Sequence, residues 1–246
     1  MMKTIKRLLT VAVLATALTA PAMAASEEIW DPLEPVNRYV FAFNEGMDVV
    51  FIRPLAEIYR FILPDFVLDR LEHAFINIRE PLATVNYVLQ GDLDEASDSL
   101  LRFVVNSTVG LAGMFDVMGG QSEDKLTGFG DTFGVWGVGS GPYLVLPLIG
   151  PSSLRDTVGL AADYYADPVG IALRDDTFGV DHPDTIYTGI QLARGFDARS
   201  RLIKQVDDLR RNSLDFYATV RSIYAQRRAA KINGTSGDAP EIPDYN

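Results

Sequence analysis

No cysteine occurs among the 246 residues, which excludes disulfides, thiolate metal sites and a cysteine nucleophile, and leaves no thiol to carry an N-terminal lipid. Histidine is almost as scarce, with only His73 and His182 present. A histidine-dependent triad or a multi-histidine metal site would need one or both of them, and neither has ligand or nucleophile spacing around it. Both read as surface or packing residues. Positive charge is also short: 22 Lys and Arg stand against 33 Asp and Glu, a net charge of -11, which argues against nucleic-acid binding and against attraction to anionic membrane surfaces. The apolar stretch Leu8 to Leu18 is about half the roughly 20 residues that cross a hydrocarbon core. It follows Lys3, Lys6 and Arg7 and precedes Pro21-Ala22-Met23-Ala24, the pattern of a secretory signal over residues 1–24. Export is therefore expected, with a mature chain beginning near Ala25 and a net charge of -14.

What is present is hydrophobicity, at 48% of the chain, arranged mostly at helical spacing. Pro35 marks the start of a first helix, Pro54 opens a second, Asp65 is a candidate N-cap, and Pro81 opens a helix that Gly91 ends. Residues 92 to 107 place Leu93, Ala96, Leu100, Phe103, Val104 and Ser107 on one stripe, predicting that this stripe is buried. Residues 37 to 62 differ, because little of either helix is polar. A helix apolar on most sides needs protein or lipid around it, and the spacing alone does not choose between them.

Between Gly110 and Gly150 lie 11 of the 20 glycines, mixed with Phe115, Phe129, Phe133, Trp136 and Tyr143, so a long loop region with short helical or extended pieces is expected. Ser152 or Ser153 can cap a helix running to about Tyr165. Leu202, Val206, Leu209, Ser213, Phe216, Val220 and Ile223 follow a four-three spacing, which predicts a seam on one long helix. That region is basic: residues 199 to 231 hold nine Lys and Arg against three Asp and Glu, a net of +6, while the rest of the mature chain carries -20. Internal pairing of this arm with the acidic body is the expected outcome. Residues 25–232 read as one domain and residues 233–246 as a disordered tail.

Catalytic motifs are missing. Asp175, Asp176, Asp181 and Asp184 lack the alternating pattern of a calcium loop and read as an acidic turn. Gly137-Val138-Gly139-Ser140-Gly141 has neither the central serine of a nucleophile elbow nor the Gly-Lys-Ser/Thr of a phosphate loop. No catalytic residue, metal site or cofactor is expected.

An ordered series of strings remains: Asp31-Pro32-Leu33-Glu34-Pro35-Val36-Asn37-Arg38, Phe41-Ala42-Phe43-Asn44, Glu80-Pro81, Val85 to Asp92, Arg102 to Gly110, and Phe133 to Tyr143. Across roughly residues 30 to 225 this series resembles the VacJ/MlaA family. The resemblance implies an all-α, curled, ring-like single domain in the inner leaflet of the outer membrane, with an amphipathic channel and a glycine-rich hairpin segment. It implies phospholipid as cargo, a trimeric porin as partner and a soluble periplasmic phospholipid carrier as recipient. By the same resemblance Gly137, Gly139, Gly141 and Pro142 match a hinge, and Phe43 and Asn44 match a segment that holds the channel's resting state. It also turns the apolar residues Phe51, Ile52, Phe61 and Ile62 toward lipid. The chain departs from the family's commonest form by lacking the lipobox cysteine. Two other readings stay open: a soluble periplasmic module that holds lipid or another apolar ligand, and a hydrolase using His73 or His182.

Overall fold

The structure, a computed structural model, describes residues 29–175, 179 and 181–234. The signal expected over residues 1–24, Asp176 of the acidic turn and the tail from residue 235 lie outside the described residues. Helix α1 spans Glu34–Met47 with Pro35 in its first turn, where a missing N–H costs nothing. It does not stop before the next helix: a π-helical turn, Asp48–Ile52, runs directly into α2, Arg53–Ile62. The two expected helices are therefore one continuous rod. The widened turn falls immediately before Pro54, whose absent donor already interrupts the ladder there.

Helix α3, Asp65–Gln90, is about 39 Å long and carries Pro81 in its interior instead of at its start. The ladder bond lost at Pro81 is outweighed by tertiary contacts made at the adjacent Glu80. Asp65 is the first helical residue and Pro64 occupies the cap, so Asp65 acts on the helix dipole and does not cap by hydrogen bonding. Gly91, at φ +81, ends the helix in the left-handed conformation expected of it. Helix α4, Leu93–Thr108, returns antiparallel with Asp92 as its N-cap, accepting from the Glu95 N–H at 3.0 Å.

The buried face of α4 is not the apolar stripe. Ala96, Ser99, Arg102 and Asn106 are buried, while Leu93, Leu100 and Val104 are exposed. Both sets have helical spacing, but the polar one meets partners. Arg102 Nε donates to Glu80 Oε1 at 2.7 Å, Ser99 Oγ donates to Glu80 Oε2 at 2.5 Å, and Asn77 Nδ2 donates to Ser107 Oγ at 2.8 Å.

The glycine-rich region contains the expected short pieces: a 3-10 turn at Glu123–Lys125, helix α5 at Phe129–Val135, and a hairpin of β1, Tyr143–Leu146, with β2, Gly150–Ser153. The strands are antiparallel, Tyr143 facing Ser153 and Leu146 facing Gly150. Ser153 caps α6, Leu154–Ala166. Helix α5 lies so close to α6 that a Cβ on Gly159 would sit 2.3 Å from the Gly130 nitrogen.

Helix α7, Pro168–Arg174, is capped by Asp167, and α8, Pro183–Arg201, follows. The single long C-terminal helix is in fact two, α9 at Ile203–Asn212 and α10 at Phe216–Ile232. Ser213 turns extended and Asp215 accepts from the Ala218 N–H, a local capping bond that starts a new helix and breaks the seam.

The chain closes on itself. Helix α1 packs on β1, α2 on α8, α3 on α5, α7 and α8, and α10 on α5 and β2. One conventional apolar core holds this closure: Tyr143, Val145 and Tyr217 are buried with Ile29, Val40, Phe41 and Tyr224 against them. A smaller cluster joins Ile76, Ala83 and Leu126. Elsewhere among the described residues, buried polar and charged side chains outnumber buried hydrophobic ones.

Candidate functional site

Along α1, the π turn and α2, a series of polar residues points inward, while Glu57 and Arg60 stay exposed. Asp48 forms a bidentate pair with Arg199 of α8, at 2.8 and 2.7 Å, and Arg53 reaches Asp207 of α9 at 2.8 Å. Tyr59 donates to Asp197 at 2.9 Å, and burial, then this bond, push its phenol up to about 12. Ala56 at the contact is completely buried. The apolar residues are left on the outside: Phe51, Phe61 and Ile62 are exposed, Phe61 by 91%, while Ile52 is half-buried. Val50, Leu55, Ile58 and Phe66 extend the same surface. This is not a core helix pair, and a contiguous apolar surface of this kind marks contact with lipid or protein. No helix among the described residues is long and apolar enough to cross a membrane.

The hairpin is held against α1 by two asparagines. Asn37 Nδ2 donates to the Tyr143 carbonyl at 2.9 Å, and its Oδ1 accepts from the Val145 N–H at 3.0 Å. Asn44 repeats the pattern at the tip, donating to the Leu146 carbonyl at 2.9 Å and accepting from the Leu148 N–H at 2.7 Å. Seven helical residues advance about 10.5 Å, close to the rise of three strand residues, so the two amides meet the strand edge in register. They replace a missing third strand. Asn37 is further fixed by Asp31, which also accepts from Tyr217 and pairs with Arg221.

Of the sequence-selected residues, Asn44 is thus a hairpin clip and Phe43 beside it is exposed. Gly137, Gly139, Gly141 and Pro142 lie at the base of the same hairpin, about one strand length from Asn44. The Ser140 and Pro142 carbonyls accept from the Arg155 and Leu154 N–H groups at 3.1 and 3.0 Å. Gly137 and Gly141 have φ of +86 and +68, which a side chain resists, whereas Gly139 is not in that region and has open space at its Cβ position. Only two of the three glycines are therefore required by the observed turn.

The basic arm pairs inward as expected. Arg228 of α10 grips Asp156 of α6 at 2.8 and 2.9 Å, and Arg210 of α9 reaches Glu45 of α1 at 2.9 Å. Burial opposes ionisation of Asp156, yet Arg228 prevails and holds its carboxyl below the usual range. The Arg228–Asp156 pair lines a cavity of about 720 Å³. Its wall is shared by α3 at Arg79, the hairpin at Ile149 and Pro151, α6 at Leu160 and Asp163, α8 at Arg194, and α10 at Arg227 and Lys231. The wall is amphipathic, with cations, carboxylates and aliphatic side chains all represented.

Sequence reasoning did not single out Arg79, Asp163 or Arg194. Their signal was a charge set within a helix that otherwise reads as packing, as in Leu192-Ala193-Arg194. Neither histidine contributes to the cavity wall: His182 caps α8 in a left-handed conformation, and the His73 carbonyl accepts from Gln121. Among the described residues no group of acidic and histidine side chains forms a metal site.

A family model described as MlaA lipoprotein matches residues 29–231. An uncharacterized protein of Rickettsia bellii (strain RML369-C) is 39% identical over 208 residues, covering 83% of this chain and 78% of the relative. The intermembrane phospholipid transport system lipoprotein MlaA of Escherichia coli (strain K12) is 34% identical over 220 residues, covering 87% and 83%. A solved structure described as the structural basis for maintenance of bacterial outer membrane lipid asymmetry superposes with a TM-score of 0.68 at 33% identity, covering 82% of this chain and 99% of that one.

Proposed function

Because the chain belongs to the MlaA lipoprotein family, we propose that it is a non-enzymatic component of intermembrane phospholipid transport that maintains outer-membrane lipid asymmetry. It removes phospholipid from the outer leaflet and releases it on the periplasmic side to a soluble carrier, working beside a trimeric porin. The observation that carries this reading is the inverted distribution of side chains, with large apolar groups exposed on the outside and a charged, amphipathic cavity inside. A phospholipid moving between leaflets must keep its headgroup solvated while its tails leave one apolar medium for another. A polar wall beside an apolar rim lowers that desolvation cost without any bond chemistry.

With no cysteine to carry a lipid, attachment rests on the surface formed by Phe51, Phe61 and Ile62, with Ile52 at its edge. The glycine-bearing base of the hairpin, with the Asn44 clip and Phe43 at its tip, governs access to the cavity, whose wall includes Ile149 and Pro151 of that hairpin. Gly139→Val tests this hinge cleanly, because open space surrounds its Cβ. A stable, abundant variant that leaves phospholipid in the outer leaflet supports the hinge, and one with a full barrier rejects it.

Complementation tests the function itself. In cells lacking their own homologue, the chain should lower outer-leaflet phospholipid and restore resistance to detergent with chelator. Normal abundance with no change in either would overturn the reading. Recovery solely in the soluble periplasm, with no porin bound, would favour the alternative of a soluble lipid-binding module.

A further inference from the structure

The cavity wall carries more cationic groups than its ion pairs use. Arg228 and Lys231 are spent on Asp156 and Asp131. Arg79 is different. Among the described residues it makes no ion pair, and its Nε is buried without a hydrogen-bond partner; one nitrogen each of Arg70, Arg174 and Arg199 shares that state, but of the four only Arg79 lines the cavity, where a ligand could supply an acceptor to its guanidinium. Arg194 lines the same cavity from α8, which packs directly on α3, the helix of Arg79. Its pairing is weak: Glu123 at 3.2 Å has a side chain 55% exposed to solvent, and Gln191 at 3.3 Å is neutral. Burial, and then the like charge of Arg79, depress the proton affinity of Arg194, so the two guanidinium groups sense each other across the cavity. Two cations lining one cavity from packed helices without full compensation favour an anion between them.

The acidic groups of the wall do not fill that role. Asp163 senses the charge of Arg79 but makes no ion pair with it: its carboxylate accepts from the Phe129 N–H at 2.8 Å, and burial pushes it up. Asp131 and Asp156 are held by α10. Asp124 lies beside Glu123 in the 3-10 turn. The same wall carries the aliphatic groups of Leu126, Ile149 and Leu160, which suit the glycerol and upper acyl portion of a lipid better than a free ion.

We propose that Arg79 and Arg194 form a phosphate-recognition site in the cavity, occupied by the phosphodiester of a lipid headgroup. The proposal rests on the transport reading above and adds to it the group by which the cargo is recognised. Planar guanidinium groups on two helices suit a tetrahedral phosphate, offering parallel donors from two directions. The site thus selects lipids by their phosphate and is indifferent to what the phosphate carries beyond it.

Calorimetric titration of the full chain with short-chain lipids tests this, using dihexanoylphosphatidylglycerol, dihexanoylglycerol and inorganic phosphate as probes. The phosphate-bearing lipid should bind at least tenfold more tightly than dihexanoylglycerol, and Arg79→Gln or Arg194→Gln should each remove about tenfold of that preference. Arg79→Lys should retain part of it and guard against a folding artefact, with thermal unfolding compared across all variants. Equal affinity of wild type and the double Gln variant for both lipids overturns the guanidinium site while leaving transport intact. No binding of either lipid by the wild type overturns the transport reading itself. Inorganic phosphate binding as tightly as the phospholipid overturns the lipid assignment in favour of a free-phosphate site.

Discussion

Helices α2 and α10 have similar local chemistry and opposite placement. Each has an apolar stripe and several arginines. In α10, Tyr217 and Tyr224 turn inward onto Tyr143 and Val145, giving an ordinary core. In α2, Phe61, Leu55 and Ile58 face outward, while Arg53 and Tyr59 turn in to meet carboxylates of α8 and α9. The difference lies in the partners. Helix α10 faces a β-hairpin whose backbone is satisfied by Asn37 and Asn44, leaving its side chains free to pack on aromatics. Helix α2 faces Asp197 and Asp207, which cannot be buried without cations, so its polar side is drawn in and its apolar side is displaced outward. The same fold therefore buries its aromatic side chains on one arc and leaves large apolar side chains exposed on the other.

The largest effect expected from this contrast is on membrane recovery. Phe51→Asp with Phe61→Asp puts two charges on the outer face of the π turn and α2, each costing about 2.5–3.5 kcal/mol if carried into hydrocarbon. Flotation with vesicles should show the variant released, with its helical circular dichroism intact. Unchanged flotation would mean that the outward face of α2 does not meet lipid. Phe41→Ala on the other arc should instead lower stability and leave flotation unchanged, since Phe41 packs edge-on to Phe216 and Tyr217.

The second test reverses the usual ranking of polar and apolar truncations. Arg102→Ala leaves Glu80, whose side chain is 1% exposed, as an unpaired buried charge and should cost about 3–5 kcal/mol in thermal or denaturant unfolding. Leu100→Ala, on the exposed side of the same helix, should stay within about 0.5 kcal/mol in detergent-free buffer. Equal costs would refute the inverted packing of α4.

A third pair separates the two ends of the hairpin. Asn37→Ala removes a buried amide that satisfies two backbone groups and Asp31, and should cost about 2–3 kcal/mol. Asn44→Ala, at a half-exposed clip, should cost about 1 kcal/mol but speed proteolysis between Leu146 and Gly150. Comparable proteolysis in the two variants would mean that the tip is not independently held.

The smallest expected effect is on acid stability. Because Asp156 is held below the ordinary carboxylate range of about 4, its contribution is complete above that range and is lost as pH falls through the lower folded value. Asp156→Asn should be less stable than wild type at neutral pH, and the gap should close in acid. A gap independent of pH would assign the loss to packing and not to charge.

Legibility in the sequence followed the range of the interactions. Helix starts and stops set by local bonds, such as Ser153 and Gly91, were readable, as was the irregular stretch from 110 to 150, because capping and backbone freedom involve only near neighbours. Pro81 misled because its cost is offset by Glu80 meeting Arg102 and Ser99, residues about twenty positions away. Ser213 misled because the competing cap at Asp215 is a local alternative that a four-three spacing does not register. The family resemblance covered residues that share a motif, Phe43, Asn44 and the hairpin glycines, but Arg79 and Arg194 belong to no motif and meet only in the closed ring.

Without any coordinates the chain already reads as helical, with a glycine-rich segment interrupting the helices, a basic C-terminal arm that must find acidic partners, and no cysteine to act in catalysis. All of these follow from composition and short-range spacing. Which face of each helix lies inside emerges from long-range packing alone. Periodicity records that a helix has two faces, but whether the apolar one is buried depends on what the polar one meets, and here buried carboxylates and amides on distant elements claim the interior.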